Sequence, residues 1–216
     1  MSKVVVLDYG TSNLRSVAKA LEFVANKRHD ILVTDQRKEI LSADRVVFPG
    51  QGAMGQCMQR LKDSGLDNIV QECVSTKPFL GICLGLQSLM QESDEDGGVK
   101  GLGVIAGKVV RFPNNIKDEH GDICKIPHMG WNQVKQHKHH PLWKGIEDGT
   151  RFYFVHSYYV QTKNDSDVAA KTNYAVEFTS AAARENVFAT QFHPEKSQHA
   201  GLTLLSNFLF WDGSEN

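Results

Sequence analysis

The sequence predicts an α/β protein built on a mostly parallel central sheet with helices on both faces, passing into a mixed or antiparallel second half. Three observations carry that expectation. Short apolar, β-branched runs alternate with helical stretches from Lys3 onward, the β-α-β rhythm of parallel strands joined by right-handed crossovers. Glycine-flanked junctions between strand and helix occur twice, at Pro49–Gly55 and at Gly81–Gly85. After Gly101 the texture changes to strand-like segments separated by turn residues.

Lys3–Leu7 reads as the first strand, closed by the turn Asp8-Tyr9-Gly10. Leu14, Val17, Ala18, Leu21, Val24 and Ala25 then fall on one helical face, with Ser12 as the expected N-cap. Ile31–Thr34 and Arg45–Phe48 are the next strands, joined by a polar, partly helical link. Pro78–Cys83 is an apolar run suited to a strand buried on both faces. Leu84, Leu86, Leu89 and Met90 continue it at helical spacing, and that helix is expected to end in the solvated acidic run Gln91–Asp96 before the breaker Gly97-Gly98. In the second half, strands are expected at Lys108–Phe112, Asn132–Val134, Phe152–Val160, Val168–Lys171, Ala175–Thr179 and Val187–Phe192. Leu202, Leu205, Phe208 and Leu209 mark a closing amphipathic helix. With no Pro/Ser-rich linker, no repeat and no low-complexity tract, residues 1–216 are expected to form one domain.

Composition narrows the function. Charged residues make up 23% of the 216 residues and the formal net charge is -1, so no general pull toward nucleic acid or anionic lipid is expected. No apolar run approaches the roughly 18 residues of a membrane helix. The amino-terminal run reaches Asp8 too early for a signal peptide, so a cytoplasmic chain is expected. The four cysteines, Cys57, Cys73, Cys83 and Cys124, form no C-x-x-C pair and are expected to be free thiols.

The chemistry centres on Gly81-Ile82-Cys83-Leu84-Gly85. A strand feeding straight into a helix needs a sharp turn, and a thiol there has the setting of a nucleophile elbow. Free N–H groups at the helix start favour the thiolate. A buried structural cysteine is the competing reading. Pro49-Gly50-Gln51-Gly52-Ala53-Met54-Gly55 matches G-x-G-x-x-G, but a dinucleotide site also needs an acidic residue at the end of the following strand, where Gly81-Ile82-Cys83 stands. The loop serves better as a close backbone approach that aims an N–H at whatever reacts with Cys83. Downstream, the strand Val187–Phe192 is expected to run into His193-Pro194-Glu195, either a base with its orienting carboxylate or a surface His beside a surface Glu. Together, an elbow Cys, a Gly-rich loop and a strand-end His-x-Glu describe acyl transfer through a thioester. The segment Gln136–Pro141 carries three histidines, yet without a neighbouring carboxylate or Cys at ligand spacing it reads as a solvated loop and not a metal site.

These blocks resemble the triad (class I) glutamine amidotransferases. Asp8-Tyr9-Gly10 with Asn13-Leu14, Pro49-Gly50-x-Gly52, Pro127-His128-Met129-Gly130-Trp131-Asn132, Phe154–Tyr158 and Gln191–Ser197 sharpen the resemblance to the glutaminase subunits of imidazole glycerol phosphate synthases, over essentially the whole chain. The resemblance implies a flavodoxin-like amidotransferase fold and hydrolysis of glutamine without cofactor or metal. It assigns Cys83 as nucleophile, His193 as general base and acid, and Glu195 as the orienting carboxylate. It makes the N–H groups of Leu84 and Gly52 the oxyanion hole, beside Gly50, and Gln87, Glu95, Ser157 and Tyr158 the glutamine-binding wall. It implies a heterodimer with a (β/α)8-barrel cyclase that consumes the ammonia for histidine synthesis, faced by Met129, Gly130, Trp131 and Asn132. Gln51 and Ser12 depart from the family pattern, which often has a small aliphatic residue and a glycine there. A loop able to present or withhold one oxyanion donor would gate glutamine hydrolysis by roughly 100- to 1,000-fold, so the isolated chain is expected to be a poor glutaminase. The alternative is a paralogous glutaminase feeding another acceptor, such as a surface-sugar amidation system; a non-enzymatic α/β module stands behind both.

Overall fold

A computed structural model describes residues 1–118 and 120–214. The first half alternates as expected: β1 (Ser2–Leu7), α1 (Leu14–Ala25), β2 (His29–Thr34), α2 (Arg37–Leu41), β3 (Arg45–Gly50), α3 (Met54–Ser64), α4 (Leu66–Val74) and β4 (Phe79–Cys83). There follow α5 (Leu84–Ser88), β5 (Met90–Ser93), β6 (Val99–Lys100), β7 (Ile105–Arg111), β8 (His128–Gln133), β9 (Lys135–Gln136), β10 (Arg151–His156), β11 (Tyr158–Thr162), β12 (Val168–Tyr174), β13 (Val176–Arg184), β14 (Val187–Thr190) and α6 (Gln198–Phe210).

The main sheet runs β2-β1-β3-β4-β14-β13-β11-β7-β5-β6, with β12 paired to β13 and β9 to β12. Its first five strands are parallel, and the order turns antiparallel at β13. Alternation along each strand sorts side chains onto two cores. Val4, Val6, Val47, Leu80 and Ile82 pack on one face with Val17 and Leu21 of α1 and Leu205 and Phe208 of α6. Val5, Leu7, Val46, Phe48 and Phe79 pack on the other with Leu61 of α3 and Ile69 and Val70 of α4. Each such side chain contributes about 1.5–3 kcal/mol relative to exposure, so the parallel half is anchored from both sides. Among the described residues, no helix is long and apolar enough to cross a membrane.

Several local expectations are corrected. The helix after Cys83 is one turn, and Met90–Ser93 is strand β5, parallel to β7. Helical spacing of Leu89 and Met90 loses there to tertiary strand pairing, which buries Met90 and Ser93. Phe152–Val160 is not one strand: Ser157 separates β10, which pairs with β8 in a small second sheet, from β11 in the main sheet. The last strand stops at Thr190, whose hydroxyl closes a bend onto the Phe192 carbonyl at 2.9 Å. Asn13, not Ser12, occupies the N-cap of α1. The histidine segment is not simply solvated either. His140 is buried against Phe188 and Trp211 while its Nδ1 accepts from the Leu142 N–H, and His137 meets Asp165 at 2.9 Å.

Candidate active site

Because β3, β4 and β14 are parallel neighbours, their carboxyl ends lie side by side, with Gly50 opposite Cys83 and Thr190 opposite Ile82. Cys83 has φ +54° and ψ -105°, a conformation that costs an L-residue about 1–3 kcal/mol and persists only where packing over-determines it. The flanking glycines explain how. A Cβ on Gly85 would overlap the Phe48 carbonyl, and one on Gly81 would sit 2.9 Å from the Ala189 Cβ. No other residue lets the elbow approach β3 and β14 so closely.

The Cys83 sulfur accepts a hydrogen bond from Gln191 Nε2 at 3.6 Å. His193 lies on the bend after β14, with its side chain 2% exposed. Its backbone is clamped: its N–H donates to the Tyr153 carbonyl at 2.9 Å, and its carbonyl accepts from Ser197 Oγ at 2.7 Å. His193 Nδ1 meets Glu195 Oε1 at 2.8 Å, and Asn13 Nδ2 donates to the same oxygen at 3.0 Å. With Nδ1 committed to the carboxylate, Nε2 is the nitrogen left for Cys83; it makes no hydrogen bond of ordinary length. Burial alone would lower the basicity of the ring, but a thiolate at Cys83 and the Glu195 carboxylate raise its pKa well above the ordinary value. Burial likewise opposes ionisation of Glu195, and the imidazolium and Asn13 override it, holding its pKa below the usual range.

Cys83 and His193 open on a cavity of about 820 Å³. Leu84, Gly52, Gln87, Glu95, Ser157 and Tyr158 line it as well. Glu195 stands behind His193, with no exposed side-chain surface. Gly50 does not line the cavity; it lies underneath, where an added Cβ would run into the Tyr9 hydroxyl and Leu84. Glu95 is no longer a solvated helix end: its Oε2 accepts from the Met54 N–H at 2.7 Å, and burial raises its pKa. Gln87 is 6% exposed and donates to the Tyr158 carbonyl at 3.1 Å and to Gln191 Oε1 at 3.2 Å. Met129, Gly130, Trp131 and Asn132 line a separate groove of about 790 Å³, where Met129 and Trp131 are exposed. At the mouth of the first cavity Gln51 Nε2 donates to Ser12 Oγ at 2.5 Å, so the two departures from the family pattern meet.

Gln191, Asn13 and Arg60 received no role from the sequence. Arg60 lines the cavity and donates to the Gly10 carbonyl. Gln191 carried a signal, a lone amide inside the apolar run that leads to His193. Asn13 stood in a block that carried the resemblance, but its partner lies 182 positions away, so nothing local stated its role. Among the described residues no group of three or more His, Cys, Asp or Glu is placed to hold a metal ion.

The chain belongs to the family "Glutamine amidotransferase class-I", which matches residues 5–211. Two solved glutamine amidotransferase structures share the fold: one at TM-score 0.70 and 16% identity over 95% of this chain and 97% of that one, the other, from Thermotoga maritima, at 0.64 and 16% over 90% and 76%. Within the family the chain sits among the imidazole glycerol phosphate synthase subunits HisH. It is 56% identical to that of Nitrosomonas europaea over 98% of this chain and 99% of the relative. It is 53% identical to that of Aromatoleum aromaticum over the same shares, and 52% to that of Methylococcus capsulatus over 98% of each.

Proposed function

We propose that this chain hydrolyses glutamine to glutamate and ammonia through a thioester on Cys83, as the glutaminase subunit of an imidazole glycerol phosphate synthase in histidine biosynthesis. The observation that carries the reading is the strained Cys83 facing, across one polar cavity, an imidazole whose far nitrogen is held by a buried carboxylate. The sulfur anion attacks the carboxamide carbon of glutamine, and the N–H groups of Gly52 and Leu84 receive the developing oxyanion. Protonated His193 gives its Nε2 proton to the departing nitrogen, so ammonia leaves and the thioester remains. Neutral His193 then takes a proton from water, hydroxide adds to the thioester carbonyl, and glutamate departs as the sulfur anion and imidazolium are restored. Glu195 keeps the ring in the required tautomer throughout. Glu95, oriented by the Met54 N–H, is placed to pair with the substrate ammonium, and Gln87, Ser157 and Tyr158 complete the wall.

In this reading residues 1–216 act as one cytoplasmic domain. The ammonia passes to a cyclase of (β/α)8-barrel form seated over Met129, Gly130, Trp131 and Asn132, and the complex makes imidazole glycerol phosphate and aminoimidazole carboxamide ribotide. Glutamate release by the chain, alone and with the cyclase and its nucleotide substrate, tests it. Weak activity alone, strong activity in the complex and loss of at least about 10⁴-fold in Cys83→Ala are expected. Equal rates with and without the cyclase, or an active Cys83→Ala, would overturn it.

A further inference from the structure

A line of buried polar groups connects the strand proposed to face the cyclase with the candidate nucleophile, and every donor along it is assigned by its neighbour. His156 Nδ1 lies 2.7 Å from the Tyr158 carbonyl, which only accepts, so this nitrogen carries the hydrogen. In a neutral ring Nε2 is then an acceptor, and His128 Nδ1, 2.9 Å away, must donate to it. That leaves His128 Nε2 as an acceptor for Asn132 Nδ2 at 3.2 Å, and Asn132 Nδ2 also donates to the Asn173 carbonyl at 2.9 Å. Burial lowers the pKa of both rings, to about 4 for His128 and about 3 for His156, so both are neutral at physiological pH.

The same Tyr158 carbonyl accepts from Gln87 Nε2 at 3.1 Å. The second hydrogen of that amide goes to Gln191 Oε1 at 3.2 Å, which fixes the Gln191 amide so that Nε2 points at the Cys83 sulfur, 3.6 Å away. Gln191 is fully buried, and Gln87, His128 and His156 are nearly so, which leaves water little room to substitute for a missing link.

We propose that Asn132, His128, His156, the Tyr158 carbonyl, Gln87 and Gln191 form one hydrogen-bonded chain, its two arms donating into the shared Tyr158 carbonyl, that positions the Cys83 sulfur and couples it to β8. Gln191 and the two histidines are positioning residues in this chain. In the proposed reaction they exchange no proton with glutamine, and although His156 also lines the cavity, their part is to set where the sulfur stands before attack. The inference rests on the proposed function for the identity of the surface at Asn132 and for the reaction at Cys83. The chain itself is a property of the fold.

Two readouts test it: kcat and KM for glutamine in the complex, and the rate at which iodoacetamide alkylates Cys83, followed by mass on the Cys83 peptide. Gln191→Met removes the donor at similar volume. It is expected to lower kcat about 10- to 100-fold, the worth of a hydrogen bond to a charged group, with KM within about threefold. It should also change the alkylation rate severalfold. His128→Leu cuts the chain further out and is expected to lower kcat about fivefold, the scale of one neutral hydrogen bond. His128→Asn, whose amide can donate from the place of Nδ1, should recover most of that loss. Thermal unfolding checks that each variant folds; if His128→Leu does not, Asn132→Ala at the half-exposed outer end takes its place.

Unchanged kcat and alkylation in Gln191→Met overturns the proposal. So does a slow Gln191→Met beside an unaltered His128→Leu, which would reduce the chain to one local contact. If the wild-type complex releases no glutamate, the functional reading fails, while the alkylation rates still decide whether the chain holds the sulfur.

Discussion

His193 and the His128–His156 pair are equally deep in the protein, yet they carry opposite electrostatics. The three residues are 1%, 3% and 6% exposed, and burial pushes each ring toward the neutral form. At His193 a carboxylate at 2.8 Å and the nearby sulfur reverse that push. At His156 the neighbours are a second imidazole and a carbonyl, and the positive charge of His193 adds to the effect of lost water. Depth therefore does not set the charge of a buried imidazole; the group on its other nitrogen does. One arrangement yields a ring able to cycle a proton, the other a fixed spacer with a defined direction.

The largest break in this contrast is Glu195→Gln. It leaves the shape but removes the charge that separates the two environments, and kcat is expected to fall about 10²- to 10⁴-fold. Measured by NMR, the His193 titration should move down toward the behaviour of His156. A titration left in place would mean that Glu195 is not what sustains the cation. Asn13→Ala is milder, taking one of two donors from Glu195 Oε1, and a fall in kcat of about tenfold is expected from one lost charge-assisted bond.

The third test concerns stability. The folded pKa values of His128 and His156 lie below the unfolded value of about 6.5, so between those limits the unfolded chain binds more protons. Stability conferred by the neutral pair is present above pH 6.5 and is lost as pH falls toward about 4 for His128 and about 3 for His156. His193 runs the other way: its raised pKa contributes below about 6.5 and is lost as pH rises through the folded value. Urea unfolding between pH 4 and 8 should show the acid loss, and His156→Phe should flatten that limb while leaving the alkaline side alone. The smallest effect is expected for Gln51→Ala, which unties the loop from Ser12: stability within about 0.5 kcal/mol and a partner-free glutaminase rate about fivefold higher, the scale of one hydrogen bond.

The parallel half was legible because its signals are local. Apolar runs such as Val4–Leu7 and Phe79–Cys83, and the glycines around Cys83, state strand, turn and elbow within a few residues. The second half resisted because its structure is decided by distant partners. Met90–Ser93 is a strand only because β7 lies beside it, and Phe152–Val160 divides only because two sheets compete for it. The same holds at the site. Cys83 and the His-x-Glu pair announced themselves, and the family resemblance pointed to Gln87 and Glu95. Gln191 and Asn13 stood within the blocks of the resemblance, but their contacts span 108 and 182 positions, so what each one touches was not legible there.

The position of β14 has a consequence for the newly made protein. That strand is a late segment of the chain, yet it lies in mid-sheet, between β4 and β13, and it carries the imidazole to the sulfur's side. A ribosome that has released only the amino-terminal strands has exposed the cysteine without the imidazole beside it, and the flank of β4 is still unpaired. Under the proposed function, glutamine hydrolysis therefore has to wait until that strand takes its place beside β4.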